Sequence, residues 1–116
     1  MSAMSRGTKR PEALKARAAA FAALGAETRL ALIEKLSTGA PQSISRLAEG
    51  STLTRQAITK HLRILEDAGV VQSIRVGRES RFEFRSKPLK ELQSYLERVS
   101  GQWDEALRRL KSFVES

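Results

Sequence analysis

Cysteine is absent from this chain of 116 residues. Its absence excludes disulfide bonds, thiolate metal ligands, catalytic thiols and thiol redox switches. Histidine occurs once, so the histidine clusters that hold zinc are excluded as well. Long apolar runs are also missing, since none approaches the roughly 20 residues that a membrane-spanning helix needs. The sequence therefore predicts a protein with no metal ion, no other cofactor and no membrane partner.

Acidic residues are too few to balance the basic ones. The chain has 21 lysines and arginines against 13 aspartates and glutamates, which gives a formal net charge of +8 and a pI of about 10.6. Such an excess favours a polyanionic partner. Apolar residues make up 41% of the chain, enough for the core of one small domain. Because a domain of this size buries only a modest share of its surface, a partner subunit would add stability.

The N-terminal segment is basic and then rich in alanine. Residues 1–10 carry three basic side chains and almost nothing to bury, which predicts a mobile basic tail before a single domain at 11–116. Basic residues up to Arg17 precede the alanine-rich run 18–26, an order also found in secretory signal peptides. That run has little leucine and continues as a helical repeat into Leu30 and Ile33. We therefore expect a cytoplasmic protein.

The spacing of apolar residues changes from helical to alternating and back along the domain. It predicts helices at about 11–24, 27–37, 43–49, 54–67 and 88–115, and strands near 70–76 and 79–85. The inner side of the second helix is predicted to hold Leu30, Leu32, Ile33 and Leu36. Gly77 can take the positive φ of a two-residue type II′ turn between the strands. The order α-α-α-α-β-β-α predicts a mainly α-helical, winged helix-turn-helix domain with a small β-hairpin.

The fourth helix has two chemically distinct faces. At about 100° per residue, Ile58, Leu62 and Leu65 share one narrow stripe that must face the core. The opposite face collects polar side chains that can pair with base edges: glutamine with adenine, arginine with guanine, and threonine through its hydroxyl or methyl group. A solvated polar face is the alternative interpretation. The predicted DNA-contacting residues of this helix are Thr54, Arg55, Gln56, Thr59, Lys60, His61 and Arg63.

The predicted hairpin, or wing, at 75–81 is strongly basic. Arg75, Arg78 and Arg81 have only Glu79 as a nearby acid. A tip this positive can lie along phosphates or enter a narrow minor groove. Charged residues also keep exposed strands from pairing with other chains, so protection of the sheet edge is an additional interpretation.

His61 lies about 60° from the core stripe, at the flank of the fourth helix. This position is typical of a histidine that is packed or that contacts phosphate. A nucleophilic triad is not supported, because Asp67 lies about 9 Å further along the helix axis and cannot orient the imidazole. No glycine-rich phosphate loop or paired-carboxylate pattern is present either. The sequence therefore predicts that the protein is not an enzyme.

Three segments resemble the ArsR/SmtB-type bacterial transcriptional repressors. Residues 23–33 (ALGAETRLALI) resemble the second-helix signature, residues 54–71 (TRQAITKHLRILEDAGVV) the recognition helix, and residues 75–78 (RVGR) the wing. The resemblance covers about residues 12–115 in one register. It implies a homodimeric repressor of transcription whose dimer interface is built from the first and last helices.

The resemblance also implies sensing positions that this sequence does not fill. Many members bind metals through a Cys-x-Cys-like pair on the third helix, and the matching positions here are Ser43 and Ser45. Others use histidine and acidic ligands on the last helix, but residues 88–116 contain no histidine. The chain is therefore expected to belong to a metal-independent branch, with any small-molecule effector unknown.

The last helix carries a long apolar stripe that one small domain cannot cover. Together with the first helix it is predicted to form the dimer interface. An intramolecular core helix is the alternative, and Trp103 could instead line a ligand pocket. The predicted interface residues are Leu14, Phe21, Leu92, Leu96, Val99, Trp103, Leu107 and Leu110.

These features favour a sequence-specific regulator that binds double-stranded DNA. It is expected to act as a homodimer on an inverted-repeat operator, with helix 54–67 in the major groove and the wing on the backbone or minor groove. The alternative is a winged-helix module that binds another protein and has only incidental DNA affinity.

Overall fold

The computed structural model describes the backbone of residues 2–115 and the side chains of residues 12–115. Five helices and three strands follow one another along the chain. They are α1 (Ser2–Leu24), α2 (Glu27–Leu36), β1 (Gln42–Ser43), α3 (Ile44–Ala48), α4 (Arg55–Asp67), β2 (Val71–Val76), β3 (Glu79–Phe84) and α5 (Ser86–Glu115). The strands form one antiparallel sheet in the order β1-β3-β2. The predicted winged helix-turn-helix order is confirmed, with one strand added.

The core lies between the short helices and one face of the sheet. The predicted stripe of α4 is confirmed, since Ile58, Leu62 and Leu65 are at most 1% exposed. The side chains that are completely enclosed with them are Leu36, Leu47, Val70 and Val71. Burial of this apolar surface is the main favourable term that holds α4 in place.

One predicted core residue lies outside the core. Leu32, Ile33 and Leu36 of α2 are buried as expected, but Leu30 is 48% exposed. At about 100° per residue, Leu30 lies roughly 160° around α2 from Leu32, so both side chains cannot face the same core. The prediction that Leu30 points inward is wrong for the single chain.

Two helices begin earlier than predicted. Helix α1 begins at Ser2 rather than at Pro11. Residues 3–10 include several good helix formers, and Pro11 lies inside the helix although it removes one N–H from the ladder and crowds the carbonyl four residues earlier. Helix α5 begins at Ser86, which places Pro88 in the first turn, where a missing N–H has no helical partner to lose. Met1, the first residue of the predicted tail, lies outside the described residues. The mobility of that tail stays a prediction.

Local signals fix both ends of α4. Thr54 precedes it with extended φ and ψ, and its Oγ1 accepts a hydrogen bond from the Ala57 amide at 3.1 Å. At the other end, Gly69 has φ +77°, the Val70 amide donates to Leu65 O, and the Gly69 amide donates to Glu66 O. This pair of bonds is a Schellman motif, which satisfies carbonyls that the helix leaves free. The predicted N-cap and C′ glycine are confirmed.

The hairpin has the predicted two-residue turn. Val76 pairs with Glu79, so Gly77 and Arg78 alone connect the strands. Gly77 has φ +65°, whereas no non-glycine residue in the described backbone has a positive φ. A type I′ turn would need a positive φ at Arg78 too, so the turn is type II′. Strand β1 was not predicted, because it has two residues and forms only through long-range pairing with β3.

Helix α5 extends well beyond the core. Its 30 residues correspond to about 45 Å of helix. Among its described side chains, only Leu92 is buried. The radius of gyration is 19.3 Å, whereas a compact globule of this length would have about 13 Å. This elongation leaves much of α5 without cover from its own chain.

Among the helices that the structure describes, none has the length and the apolar character needed to cross a membrane.

Candidate nucleic-acid interface

The exposed face of α4 is free of intramolecular pairing. Arg55, Gln56, Lys60 and Arg63 are all exposed, and their side chains form no hydrogen bond or ion pair with any side chain that the structure describes. Gln56, Lys60 and Arg63 fall within about 60° of one another around the helix, opposite the core stripe. This face therefore offers one amide and several cationic donors to an external partner.

The two threonines of the predicted site are partly used by the helix itself. Thr59 is half-buried, and its Oγ1 donates to Arg55 O at 2.8 Å. Its hydroxyl hydrogen is therefore occupied, which leaves an acceptor lone pair and the methyl group for an outside partner. Thr54 Oγ1 accepts from an amide, so its own hydroxyl hydrogen can still be donated, for example to a phosphate oxygen. The N-terminal end of α4, with its partial positive charge, adds to this anion preference.

The three arginines of the wing do not lie on one surface. Arg75 pairs with Ser80 on the sheet face that also carries Ser73, whose Oγ bonds to Glu66 of α4 at 2.7 Å. Arg75 therefore extends the α4 side of the molecule, and Arg78 lies at the turn. Both are exposed and have no partner among the described side chains.

Arg81 differs from the other two wing arginines. Opposite Ile74 on the sheet, it lies on the face away from Arg75. Its Nε donates to Glu79 Oε2 at 2.9 Å, and its side chain is 38% exposed. Arg81 and Glu79 already neutralise each other, so a phosphate could contact Arg81 only by displacing the Glu79 carboxylate. The structure thus places Arg75 on the α4 side of the sheet, Arg78 at the turn and Arg81 on the opposite face.

His61 points towards the interior of the chain. It is half-buried, and its Nδ1 lies 3.2 Å from Arg29 Nη1. An arginine can only donate, so Nδ1 is the acceptor and the ring hydrogen resides on Nε2. His61 also lies about 130° around α4 from the centre of the polar face. His61 is therefore a packed histidine, and we do not include it among the proposed DNA contacts.

Arg29 holds His61 and the end of α1 in position, a role that the sequence analysis did not predict. Its Nε donates to Ala23 O at 2.7 Å and its Nη2 to Ala22 O at 3.3 Å, so it binds the carbonyls that end α1 while it holds His61. One guanidinium therefore ties α1 and α2 to α4. A signal was present in the sequence: Arg29 falls between Leu32 and Ile33 on the helical wheel of α2, and a charge in a buried stripe needs a partner.

Several known proteins resemble this chain in sequence and in structure. A family model described as a helix-turn-helix domain matches residues 24–74. The HTH-type transcriptional regulator YuzN of Bacillus subtilis (strain 168) is 40% identical over 80 residues, which cover 64% of this chain and 87% of that protein. An ArsR-like transcriptional regulator from Rhodococcus sp. RHA1 superposes with a TM-score of 0.79 at 39% identity, over 88% of this chain and 95% of that one. The chain belongs to the ArsR-like transcriptional regulators.

The fold of this ArsR-like regulator is shared more widely. A homodimeric winged helix-turn-helix DNA-binding domain from Mycobacterium bovis superposes with a TM-score of 0.63 at 19% identity, over 85% of this chain and 88% of that one. The predicted family, the winged helix-turn-helix fold and the role as a DNA-binding transcriptional regulator are confirmed. The residues that carry the DNA contact stay a prediction.

The regulator exposes the predicted apolar stripe of α5. Most of the predicted dimer residues are open to solvent in the single chain. Their exposed fractions are Leu14 54%, Leu96 52%, Val99 41%, Trp103 64%, Leu107 45% and Leu110 59%. Phe21 is half-buried and stacks at a tilt on Tyr95, with ring centroids 6.1 Å apart.

Leu92 departs from this stripe. It is only 4% exposed, because the first part of α5 packs on α1 of the same chain. Leu92 therefore has little surface left to offer a partner, and its place in the dimer interface stays a prediction. The exposed stripe of α5 begins one turn later, at Leu96.

The two serines expected at the sensing positions of the family have ordinary roles in the structure. Ser43 is the N-cap of α3, and its Oγ accepts from the Arg46 amide at 3.2 Å. Ser45 is exposed. Among the described residues, no group of three or more histidine and acidic side chains is arranged to hold a metal ion. Independence from metal stays a prediction for this regulator.

Proposed function

We propose that this regulator is a homodimeric repressor that inserts α4 of each protomer into the major groove of an inverted-repeat operator. The observation that carries the proposal is the α4 face of Gln56, Lys60 and Arg63, which is exposed and unpartnered in the described part of the chain. Polar groups held ready in this way lose no internal hydrogen bond when they meet base edges.

The chemistry of this face suits base reading. Gln56 can pair bidentately with adenine and Arg63 with guanine, while the methyl group and acceptor oxygen of Thr59 suit thymine or an amino group. Arg55 and the free hydroxyl hydrogen of Thr54 lie at the N-terminal end of α4, the part of a recognition helix that usually meets the bases. Arg75 and Arg78 would then contact phosphates beside the groove or line the minor groove.

The dimer part of the proposal is supported by the apolar stripe of α5. Six large apolar side chains from Leu96 to Val114 are between 41% and 75% exposed, in the series Leu96, Val99, Trp103, Leu107, Leu110 and Val114. A contiguous apolar surface of this kind marks an interaction site in soluble proteins. A second copy would bury the stripe and would set two α4 helices on one side of the DNA.

The salt dependence of DNA binding tests the proposal. Purified full-length protein first selects DNA from a random library, and fluorescence anisotropy then gives Kd for the selected site at several salt concentrations. Four unpartnered cations per protomer (Arg55, Lys60, Arg75 and Arg78) would neutralise about eight phosphates per dimer, so the log–log slope should be near −7. A slope near zero, or selection that yields no preferred site, would contradict the proposal.

The wing offers a further prediction. Arg78→Ala is expected to weaken binding to all DNA about equally and to shift the salt slope from about −7 to about −5, because each dimer loses two phosphate contacts. Arg81→Ala should change the slope far less, since Arg81 is already paired with Glu79. The same anisotropy titration measures both. Equal effects of the two variants would show that Arg81 lies on the DNA after all.

A second candidate function rests on the same stripe. An exposed α5 could bind a different protein, and DNA affinity would then be incidental. Size-exclusion chromatography with light scattering separates the two candidates, because the repressor should be a dimer at micromolar concentration without DNA. A monomer under these conditions would favour the interaction module.

We also propose that residues 11–116 act as one domain in the cytoplasm, without a metal ion and without catalysing a reaction. Membership of a family of transcriptional regulators supports this, because such proteins work on chromosomal DNA. The lone His61 is held by Arg29 and has no triad partner among the described residues.

A further inference from the structure

A crevice of about 420 Å³ runs between α1 and α5, away from the proposed DNA face. This volume lies within the range of about 300–1,000 Å³ that is typical of small-molecule sites. Its wall on α1 is made of small apolar side chains, Ala13, Ala16 and Ala20, and its wall on α5 includes Leu92 and Tyr95. The crevice also reaches Ala68, the C-cap residue of α4, so a bound ligand would touch the end of that helix.

Two arginines converge on this crevice. The guanidinium carbon of Arg17 lies 4.9 Å from the centroid of the Tyr95 ring, and that of Arg98 lies 5.7 Å from the same centroid. Neither forms an ion pair with a described side chain, and Glu91 is the only acid among the described residues of the lining. The ring orients both cations by cation–π attraction, but like charges held near one ring repel each other. An anion in the crevice would remove this repulsion.

The polar residues that α5 contributes to the crevice lie away from the exposed stripe of the same helix. At about 100° per residue, Glu91, Ser94 and Arg98 lie more than 100° around α5 from the centre of the stripe that includes Val99 and Trp103. A partner seated on the stripe therefore leaves these side chains free. Trp103 is not in the lining, so the interpretation of Trp103 as a pocket residue does not apply to this crevice.

We propose that this crevice binds a small organic anion with a flat apolar body. The alanine walls and Leu92 accept the apolar part, and Arg17 and Arg98 bind the carboxylate or similar anionic group through charge-assisted hydrogen bonds. The proposal goes beyond the DNA-binding function and does not depend on it, because ligand binding is measured on the protein without DNA.

A matched pair of probes tests the site on the full chain. The two probes are 2-naphthoate and its neutral amide, 2-naphthamide, which share the same rings. Titration followed by amide NMR shifts should place 2-naphthoate at residues 13–20 and 91–98 and give a Kd about tenfold lower than that of the amide, since one charged contact is typically worth this factor. The double variant Arg17→Gln/Arg98→Gln should remove the difference between the probes.

Three outcomes would overturn the proposal. They are equal affinity of the two probes, shifts confined to the exposed stripe of α5, and an unchanged probe difference in the double variant. Arg108→Gln/Lys111→Gln is the matched control, because it also removes two charges, from α5 outside the crevice, and should preserve the difference. Ala16→Phe is a second variant: it fills the crevice, keeps both arginines and should weaken both probes. Thermal melts confirm that each variant is folded.

Discussion

The triple variant Arg55→Ala/Gln56→Ala/Arg63→Ala is expected to lose affinity for the selected DNA site by at least about a thousandfold. Each good side chain–base pair contributes about 1–3 kcal/mol of discrimination, and a dimer presents Gln56 and Arg63 twice. Four such pairs are worth about 4 kcal/mol even at the low end, and every 1.4 kcal/mol is a factor of ten. Anisotropy titration against the selected site and against a scrambled duplex measures the loss.

The variant should bind the scrambled duplex more weakly only by the phosphate contact of Arg55, a loss similar to that expected for Arg78→Ala and far smaller than the loss at the selected site. Lys60, Arg75 and Arg78 keep most of the contacts to phosphate, which carry no sequence information. The fold should be unaffected, because the three replaced side chains are exposed and form no hydrogen bond or ion pair with a described side chain. Arg108→Ala/Lys111→Ala is the matched control, since it removes the same charge from α5. Undiminished preference for the selected site in the triple variant would rule out α4 as the reading element.

The second large effect is expected from Leu107→Glu in the middle of the α5 stripe. Leu107 is 45% exposed in the single chain, so glutamate should be tolerated by the protomer fold. In the proposed dimer the same carboxylate would lie in an apolar contact, where an unpaired charge is strongly unfavourable. Light scattering should therefore report a monomer where the unchanged protein is a dimer.

Loss of the dimer should weaken DNA binding even though α4 is intact. Two linked half-site contacts bind more tightly than one by about 10²–10⁴, and a monomer loses this gain. Ser112→Glu is the control, because it introduces the same acid on the exposed opposite side of α5. If Leu107→Glu stays dimeric, the α5 stripe is not the dimer interface.

The elements that the sequence predicted well depend on neighbours along the chain. Helix α4 is bounded by a threonine cap and a glycine at positive φ, and its apolar and polar faces follow from its own spacing. The type II′ turn at Gly77 is equally local. For such features the residues that determine the structure lie within a few positions of it.

The features that the sequence did not reveal depend on contacts between distant segments. Strand β1 exists because Gln42 and Ser43 meet Phe82 and Arg81, about forty residues away. The bond between Arg29 and His61 needs α2 and α4 to be packed first, and the crevice needs α1 beside α5. Periodicity gives the direction of a side chain around its helix but not what will cover it.

Leu92 shows this limit within a single helix. It belongs to the same apolar stripe of α5 as Leu96, yet it is 4% exposed while Leu96 is 52% exposed. The difference arises because Leu92 is enclosed by its own chain, whereas its own chain leaves Leu96 uncovered. Sequence spacing could identify the stripe, but only the packed structure divides it into a part that faces the core and a part left for a partner.

Hydroxyl-radical footprinting of the selected DNA site tests the central claim most directly. If two protomers place α4 in successive major grooves, protection should have two-fold symmetry, with half-sites separated by about 34–36 Å, one turn of the duplex. The Leu107→Glu variant should lose both halves at concentrations where the unchanged protein protects them. A single asymmetric patch of protection would contradict the account.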